Sequence, residues 1–312
     1  MAPLTSSVRR CQELPPPGQA AKEIAVTASS APIPAISVVI TTFNWPEALR
    51  ASLIALQRQD CPLPYEILVA DDGSDPRTAE MIASLAATSP VPLRHIWHPD
   101  QGFRLSEIRN RAMAEARGGY IICMDQDCMA PSDFLASHLR LREQGWFVSG
   151  RRSWMGRWLT RQVLAGRIAP GGPWPKWIGW GLVGQITGPF ELVPLPARAA
   201  WRTRRATVWQ RAQTANLAFW REDWERIGGF DERYRAHGLE DSDFVVRLLR
   251  SGVRRKDGRY ASIVLHLNHP RPHQPAGSPN RPLFDELMAG ERILAGHLAP
   301  PAPAAPPAVP IA

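Results

Sequence analysis

Four short strand-like runs, three of them followed by a polar cluster, constrain this chain more than any other feature. Ile36-Ser-Val-Val-Ile40, Tyr65-Glu-Ile-Leu-Val-Ala70, Val91–Ile96 and Tyr120-Ile-Ile-Cys-Met124 are each the length of one buried strand. Helical stretches lie between them. Pro46 is placed to open the first, with Leu49, Leu53 and Leu56 at helical spacing. Thr78–Ala87 follows, and then Leu105–Ala116, which Gly118-Gly119 stops. Strands alternating with helices imply β-α-β crossovers and a mostly parallel sheet. Ligands of such sheets bind beyond the carboxyl ends of the strands, so the residues after each strand are where chemistry is expected.

Those residues are polar in order. Thr41-Thr-Phe-Asn44 follows the first strand, Asp71-Asp-Gly-Ser74 the second and Asp125-Gln-Asp127 the fourth. Asp-Asp-Gly-Ser alone reads as a turn. Asp-x-Asp at a strand end also suits a hard divalent cation, which in turn suits a diphosphate. A later segment, Glu240-Asp241-Ser-Asp243, opens a helix whose buried face is Phe244, Val245, Leu248 and Leu249 and which Gly252 ends. Carboxylates in a first turn are also favoured by the helix dipole, without any catalytic role.

Charge is unevenly placed. The chain carries a net +8, yet between Arg151 and Ala212 eleven basic residues face a single acid, Glu191. Seven of the 12 tryptophans lie in the same stretch. Arginine with tryptophan fits an anionic, partly apolar surface such as lipid headgroups. It fits equally an irregular insert packed on a core by its indoles. The uncharged run Trp177–Phe190 is too short to span a bilayer but long enough to lie in its interface. No apolar run reaches spanning length, and no secretory signal is visible. Cys11, Cys61, Cys123 and Cys128 form neither a CxxC pair nor a zinc spacing, as expected of a reducing cytoplasm.

These readings divide the chain into a flexible leader (1–34), a first half (35–150), a basic Trp-rich insert (151–212), a second half (213–298) and a Pro/Ala tail (299–312); the resemblance described next implies that the first half binds a nucleotide sugar and the second an acceptor. The segments Ile36–Asn44, Glu66–Ser74 and Asp125–Asp127 resemble the donor half of family 2 glycosyltransferases. Asn216–Trp220, Ile227-Gly-Gly-Phe-Asp231 and His237–Asp243 resemble the acceptor half of β-1,4-galactosyltransferases and bacterial chondroitin-type polymerases.

The resemblance implies an α/β chain of the A-type glycosyltransferase fold: a Rossmann-like, mostly parallel sheet flanked by helices, in a single catalytic domain. It implies a UDP-sugar donor held by Thr41, Asn44, Asp72, Arg109 and Asp125. Asp127 and His266, with His269 as the alternative, would hold Mn²⁺ or Mg²⁺. Asp241 would be the base of an inverting transfer, beside Glu240. Trp220, Tyr234 and His237 would face a glycan or glycolipid acceptor. Arg109 also reads as the structural partner of a neighbouring aspartate. A cytoplasmic enzyme, docked on the inner membrane face through 151–212, follows from the same reading. Two other classes remain at this point: a nucleotidyltransferase, for which no Gly-rich basic loop follows the first strand, and a non-catalytic protein binding anionic membranes or nucleic acid. Nucleic acid is not an expected partner of the first reading.

Overall fold

The computed structural model describes residues 33–270 and 277–298. The leader up to residue 32 and the Pro/Ala tail lie outside the described residues. Strands β1 (Ile36–Thr42), β2 (Tyr65–Asp71), β3 (Leu93–Trp97) and β4 (Tyr120–Asp125) alternate with helices α1 (Pro46–Leu56), α2 (Pro76–Ala86) and α3 (Leu105–Glu115). Next come β5 (Cys128–Met129), α4 (Phe134–Leu141), β6 (Trp146–Ser149), β7 (Arg151–Trp154), α5 (Arg157–Leu164) and α6 (Trp174–Leu182). The chain continues through β8 (Asn216–Trp220), α7 (Arg221–Arg226), α8 (Glu240–Arg250), β9 (Arg254–Asp257), β10 (Ile263–His266) and α9 (Arg281–Ala289).

Seven strands form one sheet in the order β3-β2-β1-β4-β8-β6-β9. The pairs β1–β2, β1–β4, β2–β3 and β6–β9 are parallel, and β8 runs antiparallel to both its neighbours. Of the parallel strands, β1, β2 and β4 are buried on both faces, which is why they read as largely apolar runs. Their period of two divides them between two cores. Val38, Ile40, Ile67, Val69 and Ile122 pack with Leu49 and Leu53 of α1, Ile82 of α2 and Phe134 of α4. Val39, Leu68, Ile121 and Cys123 pack on the other face with Ile108 and Met113 of α3 and Phe244 and Leu248 of α8.

The Trp-rich stretch forms part of a third core. Met155, Leu159 and Val163 of the α5 region, Trp177 of α6, and Ile186 and Leu192 pack on Ala48, Ala51 and Ala55 of α1 and on Ile263 and Leu265 of β10. A small second sheet, β5-β10-β7, ties this stretch to the end of β4. Some of its arginines are structural. Arg202 is buried and donates to the carbonyls of Leu195, Pro196, Asp257, Arg259 and Tyr260. Leu182, Val183 and Phe190 stay largely exposed, with Trp158 nearly half exposed. Among the described residues no helix is long and apolar enough to cross a membrane.

Candidate active site

A cleft of about 780 Å³ opens beyond the carboxyl ends of β1, β2 and β4 and reaches the first turn of α8. Thr41, Asp72, Arg109, Asp125, Asp127, His237, Glu240 and Asp241 all line it. Residues more than a hundred positions apart in sequence therefore meet in one space.

The β2 turn sets the first of them. Asp71 is buried: one carboxylate oxygen accepts from the Ser74 amide at 2.8 Å and the other meets His95 Nε2 at 2.8 Å. Gly73 has φ +97° and lies against Asp100, where a Cβ would come within 2.5 Å of backbone, so only glycine fits. The turn leaves Asp72 on the cleft wall. His98 Nε2 meets its Oδ1 at 2.6 Å and the Arg104 amide donates to its Oδ2 at 3.0 Å. Burial raises the Asp72 carboxyl above its ordinary range despite these contacts. Asn44 does not line the cleft. Its amide donates to Ser74 Oγ at 2.9 Å and its Oδ1 accepts from the Asp75 amide at 2.9 Å, so it staples the β1 loop to the β2 turn. Its contribution to a ligand is therefore indirect.

Gln126, between the two aspartates of Asp125-Gln-Asp127, is a clamp that sequence reasoning missed. Its Oε1 accepts from Thr42 Oγ1 and the Phe43 amide, and its Nε2 donates to the Phe43 carbonyl. The loops after β1 and β4 are thereby locked together. Thr41 Oγ1 donates to Asp125 Oδ1 at 3.2 Å.

Arg109 comes from α3 and is buried. Its Nη2 lies 3.5 Å from Asp125 Oδ1 and its Nη1 3.6 Å from Glu240 Oε1, and its guanidinium sits over the Phe230 ring. It is thus the cation between the strand-end aspartate and the α8 carboxylates. Only Leu239, at φ +75°, separates those carboxylates from Gly238, and it turns the chain sharply into α8. The three acids of that turn differ in surroundings. Asp243 is buried against Arg247 at 2.6 Å, with the Tyr234 hydroxyl donating to it at 3.3 Å. Glu240 is buried beside Arg109. Asp241 faces the cleft, and its Oδ1 accepts from the Ser242 amide. Burial, followed by the charge of Glu240, pushes the Asp241 carboxyl up to about 7, and burial also raises Glu240.

Asp127 meets two imidazoles. His266 Nε2 is 3.4 Å and His269 Nε2 3.2 Å from its Oδ2. Each ring turns its Nδ1 to a backbone carbonyl, Leu267 at 2.8 Å and Pro270 at 2.9 Å. A neutral ring that donates through Nδ1 presents its Nε2 lone pair to the carboxylate. That arrangement is complete only with a proton or a cation between them, so the donor set fits a divalent metal. Burial opposes ionisation of Asp127, but the His269 hydrogen bond and the charges of His266 and His269 outweigh it and hold the carboxyl below its usual range. Cys128 lies within ligand distance of Asp127 and His266, yet burial and the charges of Asp127 and Asp125 raise its thiol far above the usual value. Imidazole and carboxylate are the better donors here. Trp154, from the basic stretch, lies against the His266 ring at 4.1 Å, and Trp45 meets His269 edge-on.

Two of the expected acceptor residues are elsewhere. Trp220 pairs with Tyr120 at the opening of β4, the end of the sheet opposite Asp125, and its Nε1 donates to the Glu143 carbonyl. The antiparallel run of β8 carries it there. Tyr234 is buried, with its hydroxyl spent on Asp243. His237 does line the cleft, exposed and edge-on to Phe103.

Two family models match parts of the chain. Residues 37–159 match glycosyl transferase family 2, and residues 199–270 match the family described as the N-terminal domain of galactosyltransferase. The uncharacterized glycosyltransferase YfnE of Bacillus subtilis is 36% identical over 107 residues, 34% of this chain and 26% of the relative. Chondroitin synthase of Escherichia coli is 26% identical over 240 residues, 70% of this chain and 33% of the relative. The chain thus spans a third or less of the length of these two relatives. Among solved structures, the mannosyltransferase PcManGT of Pyrobaculum calidifontis, in complex with GDP-Man and Mn²⁺, superposes with a TM-score of 0.52 at 20% identity, covering 76% of this chain and 58% of that one. The likeness is one of fold, the A-type glycosyltransferase fold.

Proposed function

We propose that this member of glycosyl transferase family 2 moves one sugar from a UDP-sugar to a hydroxyl of a glycan or glycolipid, with inversion and with Asp241 as base. The observation that carries the reading is the shared cleft, in which Asp72, Asp127 and Asp241 line one space although they come from three distant segments.

Thr41 and Asp72 are the groups for the uracil and ribose. Asp72 is fixed by His98 and the Arg104 amide, so its remaining lone pairs are pre-aimed at a pyrimidine N–H. Asp127, His266 and His269 would hold Mn²⁺ or Mg²⁺, which when bound neutralises charge on the departing diphosphate. Asp241 takes the proton of the attacking hydroxyl. A carboxyl raised to about 7 is half ionised near neutral pH, which matches a base to its task. Arg109 keeps Glu240 ionisable beside it and orients Asp125. Phe43, Phe103 and Leu105 supply apolar wall that excludes water.

The test is a panel of UDP-sugars, each assayed for transfer and for UDP release with Mn²⁺. Transfer from at least one, with Asp241→Asn slower by about 10²–10⁴-fold and UDP affinity retained, supports the reading. Undiminished turnover in that variant removes Asp241 as base, and binding of ATP and CTP as tight as that of UDP removes the uridine assignment.

The exposed Trp158, Leu182, Val183 and Phe190, in the same basic stretch of sequence as the exposed Arg157 and Arg161, support a second proposal, docking on an anionic membrane face. Co-sedimentation with anionic vesicles that weakens as salt rises supports it, and no co-sedimentation at low salt ends it.

A further inference from the structure

The basic stretch also shapes a route that leaves the cleft on the side of Asp127. Arg152, Gln213 and Ala215 line both the main cleft and an adjoining cavity of about 330 Å³. Arg151 and Arg211 line that cavity and a further one of about 220 Å³. In the last of these, Arg151, Arg205, Arg211, Arg255 and Arg259 surround a single acid, Asp257.

The acid does not compensate the arginines. Asp257 is taken by Arg259, whose Nε lies 2.9 Å away. Arg151 approaches Glu191 only at 3.8 Å. Among the described residues, Arg205, Arg211 and Arg255 have no carboxylate within ion-pair distance. Arg255 is the most telling. It is 6% exposed, its Nη1 donates to the carbonyls of Val208 and Gln210, and its buried Nε has no partner. A buried guanidinium with an unmet donor is costly unless an acceptor arrives. Burial lowers its pKa, and the charges of Arg151, Arg205 and Arg259 add to this against the opposing charge of Asp257. Arg211 holds φ +67°, a strained conformation for a side-chain-bearing residue, next to the shared boundary of the two cavities.

We propose that these cavities hold anionic groups of the acceptor, phosphate or carboxylate, carried on the same molecule whose hydroxyl is presented to Asp241. The inference rests on the glycosyltransferase reading and deepens it by naming the acceptor class. Guanidinium forks match phosphate and carboxylate oxygens in pairs, and a neutral glycan would leave them unmet. The continuity of the cavities with the cleft assigns the anion to the acceptor and not to an unrelated ligand.

The experiment titrates the full chain, saturated with UDP and Mn²⁺, with three probes followed by calorimetry: a glycerol phosphate oligomer, a hexasaccharide containing uronic acid, and a neutral glucan hexasaccharide. At least one anionic probe is expected to bind, at least tenfold more tightly than the neutral one, with the better of the two identifying phosphate or carboxylate. The variant Arg205→Ala/Arg211→Ala, changed at two exposed positions so that folding is spared, should bind it at least tenfold more weakly while its UDP affinity stays put. Equal binding of the neutral glucan, no anion binding in the presence of UDP and Mn²⁺, or an unchanged double variant would each overturn the proposal. UDP binding and Asp241-dependent turnover are read separately. Their loss would overturn the transferase reading and the acceptor class with it, whereas loss of anion binding alone overturns only the latter.

Discussion

Replacing Arg109 by methionine tests how the catalytic end of the cleft is held. Methionine keeps the apolar stem of the side chain but is shorter and lacks the guanidinium, so the change removes the charge and its hydrogen-bond donors. Arg109 lies 3.5 Å from Asp125 and 3.6 Å from Glu240. At an effective dielectric near 20, each contact amounts to about 4–5 kcal/mol of Coulomb attraction. The desolvation of the buried Arg109 and Glu240 and of the partly exposed Asp125 offsets most of that gain, but removing the guanidinium leaves the carboxylates uncompensated. The expected loss is about 3–5 kcal/mol in urea unfolding near pH 8.5. The sign with pH is definite. Glu240 and Asp241 are already raised, by burial first, and Arg109 is the charge that lowers both. Without it they rise further, so at pH 8.5 the folded variant must keep carboxylates ionised where they are least tolerated or take up protons against the solvent. At pH 5 protonation is easy and the penalty shrinks, by about 1.4 kcal/mol for each unit of added shift. The acid limb of kcat/KM should move to higher pH in parallel. Arg109→Lys, which keeps a charge but not the fork, should recover part of the loss. A destabilisation below about 1 kcal/mol, or one equal at pH 5 and pH 8.5, would refute the reasoning.

Other outcomes follow from the same geometry. His266→Ala and His269→Ala should each weaken Mn²⁺-dependent UDP binding about tenfold or more; if one leaves the metal titration unchanged, the other is the sole imidazole donor. His138 is fully buried between Asn216 and Ser262, and burial lowers its pKa from 6.5 to about 4. The unfolded chain therefore takes a proton there that the folded one refuses, and roughly 3 kcal/mol of stability present above pH 6.5 is lost as pH falls toward 4. His138→Gln should flatten that part of the pH–stability curve, and an unchanged slope would show the source to be elsewhere. Trp220→Phe should leave acceptor KM within about twofold, since the indole lies at the far end of the sheet; a tenfold rise would restore it to the acceptor set.

Much of the donor side is legible because parallel strands and their polar ends sit together in sequence. Ile36–Ile40 and Tyr65–Ala70 extend by one or two residues to β1 and β2, and Thr41 and Asp72, at the ends of those runs, line the cleft. Helix α8 opens at Glu240 as its apolar spacing requires. The misplacements have one cause: the direction of a strand and the inside of a core are tertiary facts. Trp220 looks adjacent to acceptor residues, but β8 runs against its neighbours and carries it away. Tyr234 is close in sequence to His237, yet burial turns it to Asp243. The clamp of Gln126 and the hold of His98 on Asp72 had no local signal, because each is made across loops from different strands. The tryptophans around α5 and α6 have no period to betray their core, since they pack on α1 from an irregular chain.

The position of β8 has a consequence for biosynthesis and for engineering. It is wedged between β4 and β6, although nearly a hundred residues separate it from β4. As the polypeptide leaves the ribosome, the flank of β4 waits open for a partner not yet made, and His266 and His269 emerge later still. An exposed flank of that kind invites pairing with other chains. Cutting or swapping this protein at the apparent seam near residue 150 would tear a sheet apart instead of parting two independent bodies, so chimeras that exchange the acceptor side must bring their own replacement for β8.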